Sequence, residues 1–559
     1  MSNPTVGSHL AARIAQSGTR EFFTVPGDFN LVLLDEFLKC ADLRMVGCCN
    51  ELNAGYAADG HARSTGGLAV VVVTYMVGGL SVINAAAGAY SDDLPLLVVS
   101  GSPNTNDAPA NHLVHHTLAE HHFYQAEECF RPVVAATFNI RHLSDAPRLI
   151  DAAVATCLAR RKPVYLEIAC NLAGAAIPAA GPLTLPPPVT ASDPLALAAA
   201  VAAASERIGR AVKPVLVAGV KLRAPGAREA FVLLADALGC AVAVMPDAKG
   251  LFPEDHPGFI GTYWGEVGSP NCAGTVESSD CQIFAGPIFN DYTTTGWTTL
   301  NPPAKLVHAG PDFLRMDGAD FSGLRLAEFL AALAAKAAPN DASLAGFRRM
   351  HEPPADPVPA GPGEPLALRE LRRQIQDLLD GSSDVVVETG DSWFNGQKLR
   401  LPPGARYFFQ MQYGSIGWAV GATLGVALGA PDGRRTVALI GDGSFQLTAQ
   451  EVSTMIRHGA NPIIFLLNNR GYTIEVEIHD GPYNNIKNWD YAGLMDVFNA
   501  GEGNGLGLRA RTAGDLADAI ARARAHPGPV LIECALDRDD CTPELLEWGS
   551  RVAAANSRR

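Results

Sequence analysis

TVALIGDGSFQLTAQE, from Thr436 to Glu451, indicates a buried strand, a tight turn and the start of a helix. The apolar run that ends at Ile440 has the length of a strand, and Gly441-Asp442-Gly443 forms the turn. A carboxylate at the carboxyl end of such a strand points into the crevice where α/β sheets bind ligands. The helix that begins near Ser444 adds free N–H groups, which favour an anion. The segment therefore predicts an α/β sheet with a ligand site at Asp442.

The next strand, PIIFLL, ends at Asn468-Asn469 and is followed by Gly471. One helix and one strand separate Asp442 from Asn469, so both side chains can reach neighbouring strand ends. Carboxylate, amide and carbonyl oxygens are the hard ligands that Mg²⁺ prefers, and Mg²⁺ readily shares phosphate oxygens. An Asp-Gly turn alone is more often structural. The turn together with the spaced Asn pair predicts a site for Mg²⁺ and a diphosphate.

The whole chain has the composition of a large globular protein. Its 559 residues are 48% hydrophobic and 18% charged, with a formal net charge of −15. Since no run rich in Lys and Arg is present, nucleic acid is not expected as a partner. The 11 cysteines lack zinc-ligand spacing and suggest reduced thiols in a cytoplasm. Neither a signal peptide nor a membrane span is expected, because the apolar runs are too short.

Two stretches rich in Pro, Gly and Ala, residues 175–193 and 351–365, are typical of extended connectors. They predict domains at residues 1–185, 193–350 and 362–559. Alternating apolar runs and helix-like stretches predict three doubly wound parallel-sheet α/β domains. The similar strands PVYLEIAC at 163 and PVLIECAL at 529 suggest that the first and last domains are duplicates. Strands are expected at residues 22–25, 45–48, 68–74, 95–100, 163–168, 214–218, 241–244, 282–285, 305–308, 384–388, 407–410, 436–440, 462–467 and 529–534.

Further segments resemble one family. The GDG turn with its Asn pair resembles the cofactor motif of thiamine-diphosphate enzymes. Five segments resemble pyruvate decarboxylases in their bacterial form: CNELNAGYAADGHAR at 49, FNDYTTTGW at 289, ETGDSWFN at 388, GDGSFQLTAQE at 441 and GYTIEVEIHDGPYNNIKNWDY at 471. The resemblance implies a pyrimidine-binding domain, a middle domain and a diphosphate-binding domain. It also implies a homotetramer, a dimer of dimers, with each active site at a dimer interface.

The resemblance implies which residues bind the cofactor. Asp442, Asn469 and the Gly471 carbonyl resemble the Mg²⁺ ligands. Glu51 resembles the carboxyl that bonds the pyrimidine N1′ from the partner subunit, where a dry pocket would raise its pKa for proton sharing. From its position alone, Glu51 is more typical of an acid stabilised near a helix N-terminus, and the resemblance reverses that preference. The other implied cofactor contacts are Thr389, Asp391, Gly414, Ile416 beneath the bent cofactor, Gly443, Ser444, Phe445 and Tyr472.

Four ionisable residues, Asp28, His115, His116 and Glu475, resemble the acid–base groups of the family. On sequence alone, adjacent histidines are more typical of a solvated surface pair, because neighbouring residues share no face of a helix or strand. Asp28 also fits a turn after Pro-Gly, and Glu475 also fits a solvated surface acid. The implied reaction is non-oxidative decarboxylation, in which the cofactor accepts electrons as CO₂ leaves. Which group transfers which proton stays open.

Tyr292, Trp393, Ile474 and Ile478 resemble residues that narrow the substrate pocket, although each is also typical of a core. A narrow pocket favours pyruvate, with acetaldehyde and CO₂ as products. Three alternatives remain. A decarboxylase of phenylpyruvate or indolepyruvate is disfavoured by Trp393. A carboligase of the acetolactate synthase type usually carries FAD and lacks the paired histidines. A catalytically inactive subunit would have lost at least one acid–base residue.

Overall fold

Three β-sheets organise the chain. The computed structural model describes residues 3–178, 181, 191–299, 301–352 and 357–557. The first sheet contains β1 (Glu21–Thr24), β2 (Arg44–Gly47), β3 (Ala69–Val73), β4 (Leu96–Ser102), β5 (Ala136–Ile140) and β6 (Val164–Ala169). Its strands are all parallel, in the order β2-β1-β3-β4-β6-β5. We call the part of the chain around this sheet the first unit.

The middle unit is built on a sheet with one antiparallel edge. Its strands are β7 (Pro214–Ala218), β8 (Ala241–Val244), β9 (Phe259–Thr262), β10 (Cys281–Ala285), β11 (Leu306–Ala309), β12 (Phe313–Met316) and β13 (Ala319–Ser322). The order is β13-β12-β11-β10-β7-β8-β9. The β11–β12 and β12–β13 pairs are antiparallel, and the other pairs are parallel. The predicted parallel core is therefore extended by a short antiparallel meander.

The third unit repeats the topology of the first. Its strands are β14 (Ser383–Val387), β15 (Arg406–Phe408), β16 (Arg435–Gly441), β17 (Ile463–Asn468), β18 (Leu506–Ala510) and β19 (Val530–Ala535). They are parallel and lie in the order β15-β14-β16-β17-β19-β18. Counted along the chain, both sheets place their second, first, third, fourth, sixth and fifth strands side by side. This match agrees with the duplication suggested by the two similar strands.

Helices cover the faces of these sheets. Those of the first unit are α1 (Val6–Gln16), α2 (Leu31–Leu38), α3 (Glu51–Thr65), α4 (Val77–Ser91), α5 (Gln125–Phe130) and α6 (Ala146–Arg160). The middle unit has α7 (Pro194–Gly209), α8 (Ala227–Leu238), α9 (Cys272–Ser278), α10 (Leu326–Ala334) and α11 (Ala342–Met350). The third unit has α12 (Leu368–Leu378), α13 (Asp391–Lys398), α14 (Trp418–Gly429), α15 (Asp442–Thr448), α16 (Glu451–His458), α17 (Thr473–Ile478), α18 (Leu494–Asn499), α19 (Ala513–Ala525) and α20 (Pro543–Asn556). Short 3₁₀ helices occur at Arg131–Val133, Val220–Arg223, Pro246–Ala248 and Pro482–Asn484.

The prediction of three α/β units with parallel sheets is confirmed, and all predicted strands coincide with observed ones. The strands that were not predicted are β5, β9, β12, β13 and β18, which lie at or next to the sheet edges. Each of them contains partly exposed or exposed residues, and none is buried along its whole length. Edge strands lack the continuous apolar run that marks a strand covered on both faces.

Helices α3 and α14 join the first unit to the third through backbone contact. A Cβ atom on Gly60 would lie 2.3 Å from the Ala422 carbonyl oxygen, and one on Gly425 would lie 1.8 Å from the Ala57 carbonyl oxygen. Only glycine allows two helices to approach this closely. The contact belongs to a single apolar core that contains residues of both units. Glu51, the first residue of α3, is therefore fixed in position relative to the third unit.

The predicted boundaries between units remain predictions. Each sheet lies within one of the three predicted segments. Most of the connector predicted at 175–193, and residues 353–356 of the second connector, lie outside the described residues. Within the described part of the chain, every helix is too short or too polar to cross a membrane.

Candidate active site

A cavity of about 440 Å³ lies at the carboxyl ends of β14, β16 and β17. The segments that follow these three strands supply most of its wall. Ile416, Tyr483 and Asn484 complete the wall, so every described residue that lines the cavity belongs to the third unit. Parallel α/β sheets bind ligands at this edge. The cavity therefore lies where the GDG turn predicted a ligand site.

Asp442 follows β16 directly, and its side chain is almost fully buried. The N–H of Gly443 donates to Asp442 Oδ1 at 2.8 Å, and the N–H of Arg470 donates to Oδ2 at 2.6 Å. Arg470 makes this bond from the left-handed backbone region, at φ 67°. Burial raises the pKa of Asp442 to about 6 despite these bonds. A divalent cation beside the carboxylate would favour its charged form.

The orientation of the Asn469 amide determines which ligand fits beside Asp442. One of its terminal atoms lies 3.1 Å from the Gly471 carbonyl oxygen and 3.3 Å from Asp442 Oδ1. If that atom is nitrogen, it donates to both oxygens, and the amide oxygen accepts from Thr473. If it is oxygen, three acceptors converge at the spacing of adjacent Mg²⁺ ligands, about 3 Å for bonds near 2.1 Å. The donor set of Asp442, Asn469 and Gly471 thus fits a Mg²⁺ ion.

Most of the other predicted cofactor contacts line the cavity, namely Thr389, Asp391, Ile416, Gly443, Ser444 and Tyr472. The Asp391 carboxylate also accepts a hydrogen bond from the Thr542 hydroxyl at 2.8 Å. Gly414 and Phe445 are not among the described lining residues. Gly414 turns the backbone at φ 60° just before Ile416. The Phe445 ring is fully buried and packs edge-on against Tyr491 in the core.

Two further residues of the ETGDSWFN segment were not singled out from sequence. Ser392 lines the cavity, and its buried Oγ has no hydrogen-bond partner among the described residues. An unpaired buried hydroxyl costs about 1–3 kcal/mol, so a polar ligand in the cavity would satisfy it. Glu388 is also buried, and it accepts hydrogen bonds from backbone N–H groups. In the sequence, the one indication of a role for Ser392 and Glu388 was their position in the ETGDSWFN segment, which resembles the family.

The predicted residues of the first unit gather at the carboxyl edge of its sheet. Glu51 begins α3 after β2, and a Cβ atom on Gly78 would lie 3.3 Å from Glu51 Oε1. The same Cβ atom would lie 3.3 Å from Thr74 Cγ2, and a Cβ atom on Gly27 would lie 2.5 Å from Thr74 Cβ. The loops that carry Glu51 and Asp28 therefore meet around Thr74. Neither residue lines the cavity of the third unit.

His115 and His116 both reach Asp28. His115 Nε2 lies 2.7 Å from Asp28 Oδ2, and His116 Nε2 lies 3.7 Å from Asp28 Oδ1. Phe29 stacks on the His115 ring at 4.9 Å, which holds its orientation. The two histidines converge because His116 adopts a left-handed φ of 63°, outside any helix or strand. Glu475, the fourth predicted acid–base residue, lines the cavity instead.

The four predicted substrate-pocket residues occupy different environments. Ile474 lines the cavity. Trp393 is fully buried in an aromatic cluster, 4.7 Å from Trp264 between ring centroids. Tyr292 and Ile478 pack against the same core. The structure therefore places one of the four in the cavity wall and three in or against the core behind it.

Comparison with known proteins supports this architecture. The thiamine pyrophosphate enzyme family matches in three parts: its N-terminal TPP binding domain at residues 4–127, its central domain at 201–327 and its C-terminal TPP binding domain at 388–534. Pyruvate decarboxylase 3 of Arabidopsis thaliana is 51% identical over 564 residues, covering 100% of this chain and 95% of the relative. The chain belongs to the pyruvate decarboxylase family of thiamine pyrophosphate enzymes.

Other members of the pyruvate decarboxylase family give the same result. Pyruvate decarboxylase 1 of Zea mays is 52% identical, covering 99% of this chain and 91% of the relative. Pyruvate decarboxylase 2 of Oryza sativa subsp. indica is 51% identical, covering 99% of this chain and 92% of the relative. The predicted family is confirmed. These relatives are plant proteins, so they do not support the bacterial form that the sequence segments suggested.

Proposed function

We propose that the chain decarboxylates pyruvate to acetaldehyde and CO₂, using thiamine diphosphate and Mg²⁺. The observation that carries the proposal is the convergence of His115 and His116 on Asp28 in a chain of the pyruvate decarboxylase family. The imidazole of histidine both accepts and donates protons, so a pair of histidines is suited to proton transfer at a reacting carbon. They also distinguish this chain from the acetolactate synthase type of carboligase considered above.

The third unit would hold the cofactor. Asp442, Asn469 and the Gly471 carbonyl would bind Mg²⁺, and Ser392 Oγ would donate to the diphosphate. The N-terminal end of α15, which includes Ser444, adds N–H groups for the same anion. When bound, thiamine diphosphate supplies a ring that accepts the electron pair left by the departing CO₂.

Residues of the first unit would make most of the proton transfers. Glu51 would hold a proton at N1′ of the pyrimidine ring. Asp28, His115 and His116 would transfer protons at the substrate carbon and hydroxyl, together with Glu475 from the cavity wall. No single residue of this set is assigned to a single proton transfer.

A second copy of the chain would complete the site. The cavity wall comes from the third unit alone among the described residues, while Glu51 and the Asp28 cluster lie at the edge of the first sheet. This separation supports a site in which the first unit of one copy closes the cavity of the other. We accordingly retain the homotetramer, a dimer of dimers, and the cytoplasmic location as proposals.

The experiment that tests this function is a CO₂-release assay over a series of 2-oxoacids. A larger substrate, phenylpyruvate or indolepyruvate, is the second candidate because Trp393, which argued against it, lies in the core. We expect the highest kcat/KM for pyruvate. A higher value for an aromatic 2-oxoacid would favour the second candidate. Absence of CO₂ release with every substrate, at saturating cofactor and Mg²⁺, would refute both.

Ile474→Ala is expected to shift substrate preference towards longer 2-oxoacids. Removing three carbons from the cavity wall should raise kcat/KM for 2-oxobutanoate relative to pyruvate by roughly tenfold, since one methylene in a pocket changes discrimination by about 10–200-fold. Trp393→Ala is the matched control, because its side chain faces the core. Trp393→Ala should lower the unfolding free energy by about 3–5 kcal/mol. It should change the preference between 2-oxobutanoate and pyruvate less than Ile474→Ala does. Unchanged preference in Ile474→Ala would contradict the assignment.

A further inference from the structure

Glu388 is a buried carboxyl without a cationic partner. It follows β14 directly and is 1% exposed. None of the salt bridges among the described residues involves it, and its hydrogen-bond donors are backbone N–H groups. Thr389 donates to Oε1 at 2.9 Å, while Gly417 and Ala419 donate to Oε2 at 3.1 and 2.9 Å.

These three donors connect opposite parts of the cavity wall. Thr389 lines the cavity, and Gly417 follows Ile416, which also lines it. Gly417 and Ala419 stand at the start of α14, where N–H groups lack partners within the helix. One carboxylate therefore holds the end of β14, the turn that carries Ile416 and the first turn of α14 in a fixed arrangement.

The turn from Gly414 to Gly417 depends on such anchors. Both glycines have left-handed φ values, 60° and 87°, so the turn lies outside regular structure. Other side chains also anchor this turn. The Thr448 hydroxyl donates to the Gly417 carbonyl oxygen at 2.7 Å. The Ser415 N–H donates to Gln410 Oε1 at 3.1 Å, and its hydroxyl shares a hydrogen bond with Tyr56 at 2.5 Å and accepts one from the Asn84 amide at 3.2 Å. Glu388 is the carboxyl group among these anchors and the one that also accepts from Thr389.

Keeping a carboxyl here has a cost in stability. Charge in a buried place is unfavourable unless hydrogen bonds compensate it, and burial raises the pKa of Glu388 to about 7. An apolar side chain would avoid that cost but would leave three N–H groups unpaired. We propose that Glu388 is a positioning residue that holds Thr389 and Ile416 in the arrangement that binds thiamine diphosphate. This inference rests on the proposed function.

The test compares Glu388→Ala and Glu388→Gln with Asp384→Asn in the full-length protein. Asp384 is an equally buried carboxyl at the opposite end of β14, paired with Arg406 and Arg434. Calorimetric titration with thiamine diphosphate in excess Mg²⁺ gives the Kd, and thermal unfolding without cofactor gives the stability. Kinetics with pyruvate at saturating cofactor give kcat and KM.

Glu388→Ala is expected to raise the Kd for thiamine diphosphate at least tenfold. Glu388→Gln should recover part of this loss, because its amide oxygen can still accept from Gly417 and Ala419. Asp384→Asn should lower Tm while leaving the Kd within twofold of wild type. If the alanine variant does not fold, the glutamine variant is expected to show at least a threefold increase in Kd.

The inference would be overturned if the folded Glu388 variants had the wild-type Kd for thiamine diphosphate and lost Tm as Asp384→Asn does. Glu388 would then be a structural residue only. If the wild-type protein decarboxylates pyruvate while the Glu388 variants give that result, the proposed function still stands. A wild-type protein that does not bind thiamine diphosphate would overturn the inference and the proposed function together.

Discussion

Glu51→Gln is expected to fold and to lose most of its decarboxylase activity, with kcat for pyruvate falling by roughly 10²–10⁴-fold, the range of a positioned acid–base group. The amide keeps the size of the side chain but cannot exchange a proton with the pyrimidine N1′. The cost to stability should be at most about 1 kcal/mol, since Glu51 stands in the first turn of α3 and loses only its interaction with the helix dipole.

The decisive measurements for Glu51 are kcat at saturating cofactor and the rate of deuterium exchange at C2 of the bound cofactor. Both should fall together in Glu51→Gln. Asp35→Asn is the control, because Asp35 is an exposed acid on α2 with no proposed role in the site. It should match wild type in both measurements. A Glu51→Gln rate near that of wild type would refute the proposed role.

The second large effect is expected for Asp442→Ala, which should raise the Kd for thiamine diphosphate and the Mg²⁺ requirement at least 100-fold. The variant removes a buried carboxylate whose Oδ1 lies 3.3 Å from the Asn469 amide, the neighbouring proposed Mg²⁺ ligand. Asp442→Asn keeps one oxygen ligand and should fall between alanine and wild type. Asp432→Asn is the control, because Asp432 is an exposed turn residue before the amino end of the same strand, β16.

Thermal unfolding gives a readout for Asp442 that does not depend on activity. A ligand at about 100 times its Kd stabilises the folded protein by about 2.7 kcal/mol, so wild type and Asp432→Asn should gain Tm when cofactor and Mg²⁺ are added. Asp442→Ala should gain little at the same concentrations. Without ligands its Tm should fall somewhat, because alanine leaves the N–H groups of Gly443 and Arg470 without their acceptor. The diagnostic quantity is therefore the gain in Tm when ligands are added. Unchanged cofactor affinity in Asp442→Ala would contradict the metal assignment.

The sequence was sufficient for the buried part of each sheet and insufficient for most of the edge strands, although β2 and β15 were predicted. β3, with the sequence AVVVV, is fully buried and was evident as a continuous apolar run. β13, with the sequence ADFS, is half exposed and has no such run. Pairing with a neighbour makes β13 a strand, and that pairing depends on contacts that composition does not encode.

At the site, sequence reasoning found residues with recognisable chemistry but not residues defined by their surroundings. Asp442 and Asn469 follow predicted strands, so their convergence could be anticipated. Ser392 could not be singled out, because only the fold shows that its hydroxyl is buried and unpaired. Ile474 and Trp393 are both apolar, and only the fold separates the cavity wall from the core.

The glycine contact between α3 and α14 also bears on how the chain is made. Gly60 leaves the ribosome long before Gly425, so the face of α3 that packs on α14 must wait for most of the chain. At about 5–20 residues per second this wait lasts roughly 20 to 70 seconds. The amino-terminal part of the nascent protein therefore cannot bury this small-residue surface until about three quarters of the 559 residues have been synthesised. During that interval the exposed surface would be a natural place for a chaperone to bind.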